Sequence, residues 1–320
     1  MAKKAFQFSK RYRTTFHFQK LKMCKKCNRY SVLNEESCPK CGTPFIGIEI
    51  LTKKIVKNRL LNEILWILIF VCIGIIASPT VQTLYYTLIS GSTFCMGYIV
   101  LTLSFFKTEY VTELKKLLRV DLRKIKAGLH YDSELAKEDT KAGRLVSAYE
   151  KLREIGEFIH ADQVKIRRIM ILNDIILRTD MDLELESLIP SRYDKDFVNY
   201  ALEILKLKRN LFTKKCIAYF VTHRLEIIRD FGVTPLIAAA GTALRMKLYI
   251  LEFSGFIEDF LEYLPKDRIL RLCQMMYANP DVNWGSLGEK TQRLVAVKYH
   301  YDPDFKRFAL EERIPDYAQT

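Results

Sequence analysis

Charged side chains are almost absent from one stretch of this 320-residue sequence. Residues 60–106 contain no lysine or arginine and a single acid, Glu63, although the whole chain has 51 basic and 37 acidic residues. This scarcity, with lysines and arginines on both flanks, argues against the buried helices of a soluble core. Two apolar segments, 60–78 and 84–106, flank a Ser-Pro-Thr break, and each is long enough to cross a bilayer. We therefore predict a transmembrane hairpin over 59–106.

Acidic residues are scarce in the first part of the chain. Residues 1–59 hold 15 of the 51 basic residues but only three acids, so most of the net charge of +14 lies there. Such a segment attracts anionic lipid head groups or nucleic acid, and both interpretations stay open. Basic groups neutralise phosphates, and the aromatic rings between them could stack on bases. The candidate contact residues are Lys10, Arg11, Arg13, Lys20, Lys22, Lys25, Lys26 and Arg29.

Several familiar patterns are also missing. The first 20 residues have no apolar core and no small-residue cleavage site, so we predict no secretory signal peptide. We find no phosphate-binding glycine loop, nucleophile elbow or zinc-protease motif, and therefore do not expect an enzyme. His223 with Glu226, and His300 with Asp302 and Asp304, are better explained as polar surface groups than as metal ligands.

Eight cysteines are present, and four of them form two Cys-x-x-Cys pairs, Cys24 with Cys27 and Cys38 with Cys41. Each pair can hold one edge of a tetrahedral metal site from a tight turn. Four thiolates leave no open position for a substrate water, so the pattern predicts a structural Zn²⁺ ion. An iron–sulfur site or a redox pair is the less favoured alternative. The other four cysteines are scattered singly, which is typical of a reducing compartment.

Residues 23–45 resemble the short zinc ribbons at the N-termini of many bacterial membrane proteins. This resemblance implies a fold for the segment and no particular task, and the ribbon followed by a hairpin suggests a bacterial cell membrane. Both outer flanks of the hairpin are rich in lysine and arginine, whereas the link over 78–83 contains neither. The positive-inside rule then predicts that both termini are cytoplasmic.

The rest of the sequence is predicted to be helical. Residues 107–130 have the pattern of a basic amphipathic stalk, which either lies on the anionic leaflet or packs as an ordinary helix. A polar stretch over 130–139 predicts a break. We expect no sheet beyond the ribbon, and a cytoplasmic all-α domain over 131–320, either a bundle or a stack of helical repeats. The predicted helices are 141–159, 161–178, 194–208, 213–231, 235–253, 254–264, 266–277 and 289–300.

The predicted fold is thus mainly α, with a basic zinc-ribbon module over 1–58, and three functions are compatible with it. The favoured one is a membrane-anchored scaffold or regulatory adaptor, whose helical domain binds a cytoplasmic protein. The first alternative is a membrane-tethered nucleic-acid binder that uses the N-terminal module. The second is an oligomeric membrane-permeabilising effector, since small residues such as Gly91 and Gly97 permit close helix packing between copies.

Overall fold

The structure is a computed structural model that describes residues 6–9 and 14–308. Residues 9–160 form one compact unit, and residues 161–308 belong to a second. This division differs from the predicted domain limits, because residues 131–160 pack with the ribbon and the hairpin rather than with the later helices. Lys10, Arg11 and Arg13 lie outside the described residues.

A small antiparallel sheet opens the first unit. Its strands are β1 (Lys22–Cys24), β2 (Arg29–Ser31) and β3 (Ile46–Gly47), in the order β2-β1-β3. Met23 on the central strand is paired with Tyr30 on one side and with Ile46 on the other. Among the described residues this is the one sheet, as predicted from the sequence.

Two long helices follow the sheet. α1 (Ile48–Ile76) begins directly after β3, and its first amide N–H, from Ile48, donates to the carbonyl oxygen of Leu21 at 2.9 Å. α2 (Val81–Val120) begins after the Thr80 cap, whose hydroxyl accepts from the Thr83 amide. Both helices are long and apolar enough to cross a membrane, and their apolar windows are not buried within the protein. α2 includes the predicted span 84–106, whereas α1 ends two residues before the end of the span predicted over 60–78. Both helices extend beyond the predicted spans on the side of the ribbon.

Two of the three glycines of this hairpin, Gly74 and Gly91, face the neighbouring helix. A Cβ atom at Gly91 would lie 2.9 Å from Cγ2 of Val71, and one at Gly74 would lie equally close to Thr87. Close approach of two helices at small residues is how membrane helices gain packing energy. Gly91 is therefore already used inside the hairpin, whereas a Cβ at Gly97 would meet no atom within 4 Å.

Two shorter helices complete the first unit. α3 (Leu122–Lys141) follows α2 after a bend at Asp121, and α4 (Leu145–Gly156) packs against α3. The predicted break over 130–139 is wrong, because α3 continues through this stretch. Its polar residues Asp132 and Asp139 are buried and form hydrogen bonds with other elements, so they do not interrupt the helix.

The second unit is built from short helices around its own core. Asp194 caps one of them by accepting from the Phe197 amide at 2.8 Å. The single helices predicted over 213–231 and 235–253 are each two helices, because the apolar period continues across a bend into the same core. The helices are α5 (Asp162–Asn173), α6 (Lys195–Leu207), α7 (Lys214–Thr222), α8 (Arg224–Phe231), α9 (Thr234–Ala243), α10 (Lys247–Glu252), α11 (Ser254–Asp259), α12 (Lys266–Tyr277) and α13 (Gly285–Lys298).

Candidate metal centre

The four cysteines of the two Cys-x-x-Cys pairs converge at one end of the sheet. Their Sγ atoms all lie within 4.8 Å of one another, and those of Cys24 and Cys41 are 3.4 Å apart. Sulfur atoms on a tetrahedron with metal–sulfur bonds of about 2.3 Å are separated by about 3.8 Å. The cluster therefore has the donor set and nearly the spacing that a tetrahedral metal ion requires.

Local backbone geometry explains how each pair forms a turn. The residue after each pair has a positive φ: Asn28 at 53° and Gly42 at 70°. Left-handed backbone at these positions turns the chain beneath a metal ion, and glycine adopts it without strain. In the first turn the Cys27 amide donates to Sγ of Cys24 at 3.4 Å. In the second the Gly42 amide donates to the carbonyl oxygen of Cys38 at 2.8 Å.

Protons are shared unequally within the cluster. Hydrogen bonds with Thr43 lower the pKa of the Cys41 thiol to about 6. The hydrogen bond to Cys41, together with burial and the other thiols, raises the pKa of Cys27 to about 12. A metal ion binds thiolates and displaces such protons. Nearby, the Arg29 guanidinium donates to Sγ of Cys38 at 3.5 Å and would offset part of the negative charge of a four-thiolate site.

The predicted basic contact residues are placed very differently from one another. Lys25 and Lys26 are exposed on the first cysteine turn. Lys22 is half-buried and points at the carbonyl oxygen of Glu35, and the Arg29 guanidinium also lies 3.8 Å from the centre of the Tyr131 ring. Lys20 is only 5% exposed and pairs with two carboxylates of the α4 end. Contact with lipid or nucleic acid through this set stays a prediction, and Lys20 lacks the exposure for it.

The surface of α3 against which the ribbon packs was not predicted from the sequence. The Tyr30 hydroxyl donates to Oδ2 of Asp121 at 2.6 Å. Oδ2 of Asp132 accepts from the Ser31 hydroxyl at 2.9 Å and from the Val32 amide at 3.0 Å. These bonds attach β2 to α3 from its first turn to its middle, so the ribbon and α3 form one structure.

Gly128 allows the backbones of α3 and β2 to touch. A Cβ atom at this position would lie only 2.1 Å from the Tyr30 carbonyl oxygen. Asp132, one turn further, is fully buried at 0% exposure, and this burial raises the pKa of its carboxyl to about 6. The sequence signal for both was a glycine and an acid within an amphipathic pattern, but their partners lie about 100 positions earlier and left no local trace.

A second attachment joins the ribbon to α4. The buried ammonium group of Lys20 donates to Glu154 at 2.6 Å and to Glu157 at 2.9 Å. Close by, Asp139 on α3 collects the charged and hydroxyl groups of α4 and the turn before it. Burial alone would raise the pKa of Asp139, but hydrogen bonds from Ser147, Arg144 and Lys151 outweigh it and lower the pKa to about 2.

The other polar clusters do not form metal sites in the described part of the chain. Lys266 lies 2.6 Å from Asp302 and 2.7 Å from Asp304, so a lysine already neutralises these carboxylates. The four cysteines are the one group of three or more possible ligands that converge there. Comparisons with protein-family models, curated proteins and solved structures found no match, so no family, relative or structural neighbour indicates catalysis.

Proposed function

We propose that this chain is a membrane-anchored scaffold or regulatory adaptor that binds a cytoplasmic protein through its second unit. A hairpin of two membrane-spanning helices provides the anchor, and a structural Zn²⁺ ion at the four cysteines stabilises the ribbon. The observation that carries the proposal is a groove on the second unit whose exposed apolar side chains are surrounded by charged ones. The proposed membrane anchor and the proposed zinc ion do not depend on this groove, and both are compatible with the same function.

Packing of the first unit supports a hairpin topology for the anchor. The ribbon precedes the two long helices and α3 follows them, yet Ser31 and Asp132 are hydrogen-bonded. Two segments that touch must lie on the same side of a membrane, which requires an even number of crossings between them. The basic flanks then favour the cytoplasm, where unpaired cysteines stay reduced.

The chemistry of the four cysteines supports zinc in a structural role. Thiolate donors at tetrahedral spacing suit Zn²⁺, and four protein ligands leave no position for a reacting water. Cys24 and Cys38 are buried, and Cys24 lies on β1, which pairs with the strand that carries Tyr30 and Ser31. Metal binding would therefore stabilise the contact between β2 and α3 together with the ribbon, because a ribbon this small depends on its metal to fold.

The groove has two walls. One wall is α13, and the other is α11 together with the 3₁₀ helix Leu261–Tyr263 that follows it. The volume of the groove is about 510 Å³. Tyr263 is 65% exposed and Val297 is 82% exposed, on opposite walls. Around them lie acidic and basic side chains, and Lys290 bridges the walls by contacting Glu258 at 2.5 Å. An aromatic and an aliphatic anchor inside a charged rim is the usual anatomy of a protein-binding surface.

The test uses full-length protein, purified in mild detergent from native membranes after chemical cross-linking. We expect one protein to co-purify in a fixed ratio at high salt. The Val297→Asp variant should lose it, because a charge replaces an apolar anchor, whereas Leu225→Asp, an exposed position on α8, should retain it. Equal retention by both variants would contradict the groove. Recovery of nucleic acid alone, lost when Lys25 and Lys26 are changed to glutamine, would favour the nucleic-acid alternative.

A further inference from the structure

Charges are sorted by sign where α1 and α2 leave the apolar hairpin. This neck consists of residues 48–59 of α1 and 107–120 of α2. Its three acids are half-buried. Gln19 donates to Glu49 at 2.9 Å and Arg59 donates to Glu113 at 3.1 Å, whereas Oε2 of Glu109 is buried without a hydrogen-bond partner. Its lysines face solvent, and five of them make no ion pair within the part of the chain that the structure describes. These are Lys53, Lys54, Lys57, Lys107 and Lys115.

The lengths of the two apolar runs place four of these lysines at the edge of the bilayer. From Val81 to Phe106 the run of α2 has 26 residues, about 39 Å at 1.5 Å per residue, whereas the hydrocarbon core is about 30 Å thick. The excess is about 9 Å, or about six residues, so the residues at the Phe106 end of this run can reach the head groups. The exposed Leu103 and Phe105 side chains suit that layer.

The antiparallel packing brings the lysines of α1 to the same depth. Val71 lies beside Gly91, and each step forward along α1 is matched by a step back along α2. Position 57 is therefore level with position 105, and position 54 with position 108. Lys107 lies at this depth too, while Lys115 is eight residues, about 12 Å, further from the membrane. That distance exceeds the Debye length of about 8 Å at physiological salt.

We propose that Lys53, Lys54, Lys57 and Lys107, the lysine belt, bind the phosphate groups of anionic lipids in the leaflet that faces the ribbon. The proposal rests on the membrane anchoring proposed above. Ammonium groups on flexible stems are suited to phosphates that move within a leaflet, since they need no fixed geometry. Arg59 and Tyr98 hold Glu63, and Glu113 contacts Arg59. Glu109 is half-buried and one of its carboxylate oxygens has no hydrogen-bond partner, so one acid at this depth opposes four exposed lysines.

Trp66 allows lipid contact to be measured directly. It is exposed on α1, inside the apolar run and nine residues after Lys57. Full-length protein is reconstituted in phosphatidylcholine bilayers that contain increasing fractions of either brominated phosphatidylglycerol or brominated phosphatidylcholine. Bromine on the acyl chains quenches the fluorescence of a tryptophan that the lipid contacts. The Trp66→Phe variant keeps Trp284 as its one tryptophan and gives the background.

We expect the anionic lipid to quench Trp66 half-maximally at a mole fraction several-fold lower than the neutral lipid. The Lys53→Gln, Lys54→Gln, Lys57→Gln triple variant should lose this preference. The Lys115→Gln, Lys116→Gln control, which removes two charges further from the membrane, should keep it. All substitutions are at exposed positions, so folding should be unaffected.

Two results would overturn the inference while leaving the anchor intact: equal quenching by the two lipids, or a preference that survives in the triple variant. Absence of quenching by either lipid would mean that α1 does not contact acyl chains. In that case the proposed membrane anchor itself is wrong, and the lysine belt is wrong with it.

Discussion

Replacing Gly128 by alanine should separate the ribbon from α3. The added Cβ would lie 2.1 Å from the Tyr30 carbonyl oxygen, whereas carbon and oxygen atoms ordinarily approach to about 3.3 Å. The two backbones must therefore move apart by about 1.2 Å. Neither atom belongs to a flexible side chain, so the clash cannot be relieved by a rotamer change.

This movement would lengthen the hydrogen bonds that lie on either side of Gly128. Tyr30 to Asp121, now 2.6 Å, and Val32 to Asp132, now 3.0 Å, would both exceed bonding distance. Losing a buried hydrogen bond to a charged group costs about 1.5–3 kcal/mol, while alanine gains about 0.5–1 kcal/mol over glycine within a helix. We therefore expect the free energy of unfolding of the first unit to fall by about 2–5 kcal/mol.

Thermal unfolding of the full-length protein in detergent, followed by circular dichroism, measures the effect. For a unit of this size the loss corresponds to a Tm lowered by about 5–15 °C. Gly97→Ala is the matched control, because this glycine is also helical but has no atom within 4 Å of the new Cβ. If the two variants unfold within about 1 °C of each other, the close contact between α3 and β2 does not exist.

Three further predictions concern other parts of the first unit. Because burial raises the pKa of Asp132 to about 6, its ionisation destabilises the folded state as pH rises from about 4 to 6; Asp132→Asn should gain about 1–2 kcal/mol over wild type between pH 5 and pH 7 in denaturant titrations. Cys38→Ser should lose bound zinc in elemental analysis of the purified protein, whereas Cys72→Ser in the hairpin should keep one zinc per chain. Gly91→Leu should lower the Tm by several degrees by pushing α1 away from α2, and Gly97→Leu should not; equal loss of stability in the two variants would contradict the packing inside the hairpin.

Features that depend on neighbouring positions in the chain could be predicted from the sequence. The length of an apolar run and the spacing of two cysteine pairs are local patterns, and the structure has two candidate spanning helices and a converging cysteine cluster where they predict them. The cap at Asp194 is local in the same sense. These patterns required no knowledge of distant residues.

The error at α3 has the opposite origin. A run of polar residues over 130–139 predicts a break because isolated helices lose little by ending there. In the folded chain Asp132 accepts a hydrogen bond from Ser31 on β2, and Asp139 binds Arg144, Ser147 and Lys151, so both carboxylates have partners inside the fold. Tertiary contacts between residues far apart in sequence thus decided the helix, and a single sequence does not contain them in readable form.

The ribbon is synthesised well before the residues of α3 against which it packs. Residues 22–47 are made before the two long helices, and Asp121, Gly128 and Asp132 are made after them. If the two helices span a membrane as proposed, the ribbon can meet α3 only after the chain has returned to its starting side. The paired helices would then bring it close to α3 and reduce the entropy lost in closing so long a loop. In that proposed topology, a nascent chain whose second helix failed to insert would leave the two surfaces on opposite sides of the bilayer. Ribbon docking would thus act as a built-in check that the hairpin has been inserted.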